Sequence, residues 1–206
     1  MSSRRPPHPW LAPGVVVGAL VPLAVIVERG VRGALGANPI AQALNQLGLV
    51  ALVLLLAALA CTPAKLVFGW TWPLRIRRML GVTAFFYACL HVSTYAGIDQ
   101  GFDWPAIWKD VSKRPFIFVG AAAFTTLVPL ALTSTNASVR RLGFARWKLL
   151  HRLAYVAPAL GVLHFFWRVK KDVSDPLAYG LALAVLLAIR VAAWAVAASN
   201  PRPRTV

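Results

Sequence analysis

The sequence predicts an all-α integral membrane protein, a bundle of six transmembrane helices with both termini on the cytoplasmic side. Three observations carry this. Of the 206 residues, 59% are hydrophobic and only 14% are charged, whereas a soluble domain is about a quarter charged. The apolar residues fall into six continuous runs, and a helix crossing the roughly 30 Å hydrocarbon core needs about 20 of them. The runs do not alternate, which excludes a membrane β-barrel. The cations lie almost entirely in short stretches between the runs, so the net charge of +16 reads as membrane topology. Lipid is therefore the implied partner, and nucleic acid is not.

The elements follow in order. Residues 1–10 and 199–206 are polar tails. The first run, Leu11 to Val27, is followed by Glu28, Arg29 and Arg32 rather than by a cleavage site, so it is an uncleaved helix. The second, Leu44 to Cys61, is free of charge. The third, Met79 to Ile98, contains Cys89 and His91 and follows the basic cluster Arg75, Arg77 and Arg78. The fourth runs from Phe116 to Leu132 and the sixth from Leu177 to Ala198, with Arg190 inside it. The fifth, Leu149 to Trp167, holds His151, Pro158 and His164. The longest connections, around residues 28–43 and 99–115, read as loops. The whole chain is a single transmembrane domain.

Six spans put both termini on one side. That side, with the tails, Lys65, the Arg75–Arg78 cluster and the stretch Arg140 to Lys148, collects twelve cations and no acid. The other side has eight cations and all six acids, Glu28, Asp99, Asp103, Asp110, Asp172 and Asp175. Positive charge marks the cytoplasmic side. All eight tryptophans sit at or near span ends, as interfacial anchors do.

Ionisable groups within a span are costly, and so point to function. His8 is in the tail, but His91, His151 and His164 are inside spans. His91 lies twelve residues into the outward-running third span, about 18 Å up at 1.5 Å per residue. His164 comes out at a similar depth on the parallel fifth span. Two imidazoles at one level on facing helices can supply both axial ligands of a haem iron. His151, thirteen residues before His164, lies near the inner surface and suits a second cofactor level. A zinc or copper site would need three or four converging ligands, which this spacing does not offer. Arg77 and Arg78 adjoin the His91 helix, where a guanidinium fork could pair with a haem propionate, a quinone carbonyl or a flavin phosphate.

Several ordered stretches resemble the haem-binding membrane subunit of the bacterial periplasmic methionine-sulfoxide reductase system, a ferric-reductase-like family. They are Arg75 to Gly81, Leu90 to Tyr95 around His91, Ser112 to Pro115, Leu132 to Thr135, Trp147 to Tyr155 around His151, and His164 to Arg168, spread over residues 36–190. The resemblance implies an inner-membrane protein of bacteria. It would take electrons from the quinone pool or a flavin reductase and pass them through b-type haem. The acceptor would be a periplasmic molybdenum-cofactor reductase that repairs oxidised methionines in envelope proteins. FMN is implied by the resemblance alone.

One departure stands out. Such domains carry two histidines on each of two haem helices, but here the third span has only His91, and Arg77 or Arg78 stands where the inner partner is expected. The outer site, His91 with His164, is complete. The inner level has His151 and an open choice between another ligand, a five-coordinate iron and no haem, so one or two haems are expected. The chain reads as an electron-transfer subunit rather than a stand-alone enzyme. The alternative is a small transporter or proton-relay protein using its buried histidines.

Overall fold

The computed structural model describes residues 10–199, so Arg4, Arg5, His8, Arg202, Arg204 and almost all of both tails lie outside the described residues. Within that range the fold is all-helical, with no strand among the described residues. Six segments are long and apolar enough to cross a membrane: Leu11–Val31, Pro39–Phe68, Pro73–Asp99, Pro115–Leu132, Phe144–Arg168 and Ser174–Ser199.

Local chemistry sets where these helices begin and end. Helix α1 (Leu11–Val31) runs four residues past the apolar run, and Glu28 and Arg32 pair at 2.6 Å across its last turn. Helix α2 (Pro39–Phe68) has 30 residues. It starts early because the Asn38 side chain accepts the Ala41 N–H and Pro39 is pre-set for a first turn. It stops where Gly69 takes a left-handed φ of 71°. Helix α3 (Pro73–Ser93) opens with a proline, which draws Arg75, Arg77 and Arg78 into its first turns rather than leaving them in a loop. It continues as a π-helical turn over Thr94–Asp99.

The connection expected around 99–115 contains a helix of its own, α4 (Trp104–Lys113), capped by the Asp103 side chain on the Ala106 N–H. Pro115 then starts α5 (Pro115–Leu132). Two short helices follow, α6 (Asn136–Leu142) and α7 (Phe144–Leu150), separated by Gly143 at φ 77°. The fifth span is therefore not one uniform helix. It breaks at His151 and resumes as α8 (Leu153–Arg168). Helix α9 (Ser174–Ser199) closes the chain.

The bundle is organised as two helical hairpins. Helix α2 packs along α3, and α5 along α8; α3 meets α5 and α2 meets α8 between them. Helix α1 flanks α2 and α3, whereas α9 lies against α2 and α8. Ile26, Leu47, Ala51 and Tyr87 form one buried cluster, fixed further by the Tyr87 hydroxyl donating to the Ala19 carbonyl. Leu52, Leu56, Leu59 and Leu183 join α2 to α9, and Leu127, Leu130 and Ala157 join α5 to α8. Among the described residues no fully buried side chain is charged. Large apolar residues such as Val17, Val21, Leu181 and Trp194 instead face outward, as lipid contact requires.

Candidate metal centre

His91 on α3 and His164 on α8 meet where the two hairpins face each other. Their ring centroids are 6.2 Å apart and their planes are inclined at 85°. Each ring is held by the other helix of its own hairpin. His91 Nδ1 is 2.9 Å from the Leu44 carbonyl oxygen on α2. His164 Nδ1 is 2.6 Å from the Phe116 carbonyl oxygen on α5. A carbonyl only accepts, so both Nδ1 atoms carry the proton and both Nε2 atoms keep their lone pair. Metal-ligating histidines are fixed in this way by an outer carbonyl.

The spacing can be tested against a shared metal. A metal–imidazole bond is about 2.0–2.1 Å, and the nitrogen sits roughly 1.1 Å from its ring centre, so two rings trans to each other on one ion have centroids about 6.3 Å apart. The observed 6.2 Å fits. Among the described residues no group of three or more His, Cys, Asp or Glu is arranged to hold an ion. A pair of imidazoles is the set needed by a metal whose other ligands come from a macrocycle.

The pair sits towards the acid-bearing end of the bundle. Leu44 and Phe116 are near the starts of α2 and α5, and His164 is four residues from the end of α8. Arg168 lies one turn beyond His164 and donates to the Asn45 side chain on α2 at 2.6 Å, with its guanidinium 5.3 Å over the Phe165 ring. A fixed cation thus stands beside the histidines. In the sequence Arg168 enters as one of the eight cations on the outer side and as the end of the His164 to Arg168 stretch, with no role of its own. Its i+4 spacing from His164 and the neighbour of Leu44, Asn45, were the signals that could have found this link.

His151 is elsewhere, at the other end of the bundle. It caps α7, with its ring stacked on Trp147 at 3.9 Å. Its Nε2 is 3.0 Å from the Thr133 hydroxyl, which itself donates to the Pro129 carbonyl at 2.6 Å. With the Thr133 proton committed, His151 Nε2 donates and its lone pair is on Nδ1, the opposite arrangement from the other two rings. The Trp147 indole N–H donates to the Thr133 carbonyl at 2.9 Å and completes the cluster. Arg77 and Arg78 lie at the same end, and their own hydrogen bonds go to Thr62 at 3.3 Å and Asn136 at 2.8 Å. Of the five residues singled out in the sequence, His91 and His164 are brought into one site. His151, Arg77 and Arg78 share the basic end, where among the described residues His151 has no second histidine beside it. Cys61 and Cys89 are free thiols.

The family of ferric reductase like transmembrane components matches residues 44–162, from the carbonyl that holds His91 to two residues short of His164. A relative from Deinococcus radiodurans is 52% identical across 98% of both chains, and is described as a protein-methionine-sulfoxide reductase heme-binding subunit, MsrQ. The chain belongs to the MsrQ family. Further MsrQ relatives are similarly close. That of Rhodospirillum rubrum is 55% identical over 86% of this chain and 85% of its own. That of Herminiimonas arsenicoxydans is 48% identical over 85% and 81%. Membership of this ferric-reductase-like family, together with six helices among the described residues that are long and apolar enough to cross a membrane, makes the chain a multi-pass membrane protein with an electron-transfer role.

Proposed function

We propose that His91 and His164 are the axial ligands of a b-type haem, and that the protein carries electrons across the bacterial inner membrane to a periplasmic partner. The observation that carries this is the His91–His164 pair at 6.2 Å, each ring fixed through Nδ1. Haem iron, when bound, supplies a one-electron ferric–ferrous couple. The residues of the chain do the rest. The Leu44 and Phe116 carbonyls hold each imidazole in the ligating tautomer. The apolar faces of α2, α3, α5 and α8 keep water away, and Arg168 offers a fixed positive charge beside the ligands.

The donor is the quinone pool or a flavin reductase on the cytoplasmic side. The acceptor is a molybdenum-cofactor methionine-sulfoxide reductase outside, whose work is repairing oxidised envelope proteins. The heme-binding and methionine-sulfoxide reductase names of the relatives support both the cofactor and this acceptor. The basic end, with Lys65, Arg75, Arg77, Arg78 and the Arg140–Lys148 stretch, faces the cytoplasm, in keeping with the bias of cations over acids there. His151 offers Nδ1 to a second haem level, and Arg77 and Arg78 are the anion-pairing groups for a propionate or for the phosphate of FMN. The chain works as one transmembrane domain and as a subunit rather than a stand-alone enzyme.

A reduced-minus-oxidised spectrum with a pyridine haemochrome count tests this on the wild type and on His91→Ala, His151→Ala and His164→Ala. The loss of one b-type haem per chain in either His91→Ala or His164→Ala is the expected result. A count that falls from two to one in His151→Ala assigns a second level to that residue, and an unchanged count of one removes it. Colourless protein from haem-replete cells overturns the proposal.

A further inference from the structure

The two hairpins treat their histidines alike. On α2 the carbonyl of Leu44 accepts from His91, and one turn later comes Gly48; on α5 the carbonyl of Phe116 accepts from His164, and one turn later comes Gly120. Carbonyl and histidine are separated by 47 residues in the first hairpin and 48 in the second. Both glycines lie directly against the imidazole. A Cβ on Gly48 would stand 3.2 Å from His91 Nδ1 and Cε1; on Gly120 it would stand 2.8 Å from His164 Nδ1 and 2.9 Å from Cε1. Among the other described glycines only Gly97 is as tight, against the Phe102 ring at 3.1 Å rather than against an imidazole; the rest are looser. At Gly161 and Gly180 the nearest side-chain atom is 3.4 Å away, and at Gly81 nothing lies within 4 Å.

We infer that Gly48 and Gly120 are positioning residues, a matched pair of carbonyl-and-glycine cradles that set the rotation of the two haem ligands and hold their planes near perpendicular. The inference rests on the haem-ligand reading of His91 and His164. Each ring brings its Nδ1–Cε1 edge against the backbone of the neighbouring helix because no side chain intervenes. The carbonyl fixes where Nδ1 points, and the missing Cβ fixes how closely the ring approaches. A methyl group at either place must push the ring and turn it about the bond to the metal. The clearances grade the effect. Position 120 has no room for a methyl group, position 48 needs a few tenths of an ångström, and position 81 needs nothing.

Ligand orientation has a spectroscopic signature separate from helix packing. Perpendicular axial imidazoles leave the iron orbitals nearly degenerate and give a low-spin ferric EPR spectrum dominated by one highly anisotropic low-field line; parallel planes give three resolved rhombic lines. The test compares the EPR spectrum and haem count of full-length protein in detergent for the wild type, Gly81→Ala, Gly48→Ala and Gly120→Ala. The wild type and Gly81→Ala are expected to share the anisotropic line. Gly48→Ala should keep its haem but shift that line towards the rhombic pattern. Gly120→Ala should shift it further or weaken haem retention by about ten-fold or more, as disturbing an outer-shell partner does. A Gly120→Ala or Gly48→Ala protein that binds haem with the wild-type spectrum overturns the inference and leaves the haem proposal standing. If Gly120→Ala fails to accumulate, Gly48→Ala decides alone. A haem count unchanged from the wild type in both His91→Ala and His164→Ala overturns the haem-ligand reading and this inference with it.

Discussion

Arg168 is the residue whose charge bears most directly on the redox site. It is tethered to Asn45 one turn from His164, with no acid among the described residues ion-paired to it. A nearby cation favours the form holding one more electron. Arg168→Gln is therefore expected to lower the midpoint potential by an amount equivalent to roughly 1–2 kcal/mol, the scale of one charge acting through a partly buried region. Arg168→Lys should recover most of it, and a redox titration of the two variants checks both. Thr133→Val makes a different kind of change. It removes the acceptor of the His151 Nε2–H and costs about 1 kcal/mol. Thermal unfolding in detergent should show that loss, while the spectrum of the His91–His164 haem stays as in the wild type. The depth argument made the meeting of His91 and His164 legible in the sequence, because rise per residue alone levels two parallel helices. The cradles were not legible. Nothing in a linear sequence marks Gly48 and Gly120 as ring seats rather than ordinary membrane glycines, since the mark is a contact with a residue 43 or 44 positions away.

At the scale of elements, the apolar runs located the helices but not their ends. Hydropathy sees lipid-facing residues, whereas caps and prolines set where the backbone turns. Asn38 with Pro39, and Pro73 after Trp72, start α2 and α3 five and six residues before the apolar runs do. Helix α4 was hidden for a related reason. Trp104, Ile107, Trp108 and Val111 lie along one face, but Lys109, Asp110 and Lys113 break up the apolar signal; the readable clue was Asp103 before a Trp-Pro pair. Asp103→Ala should destabilise α4 by about 1 kcal/mol, the usual worth of an N-cap. Hydrogen exchange should then quicken over Trp104–Lys113 and leave the exchange of α2 and α3 unchanged. Asn38→Ala should cost a similar amount, read as faster exchange in the first turn of α2.

The whole molecule is polarised along its long axis. The end with the Arg75–Arg78 cluster and His151 has no acid, and the end near the His91–His164 pair has every acid in the chain. Alkaline phosphatase fused after residue 206 should stay inactive if that end is cytoplasmic, and a fusion within residues 99–103 should be active. The reverse result would invert the proposed direction of electron flow. The histidine pair lies close to the acid-bearing end, so in the proposed direction an electron delivered at the basic end would travel most of the bilayer thickness to reach it. A cell holds its interior electrically negative, and a negative charge moving outward runs down that gradient. A full crossing gains about 2.3 kcal/mol per 100 mV. The respiring membrane itself would thus help push reducing power outward, and collapsing its voltage with an ionophore would slow the delivery even with donor and acceptor unchanged.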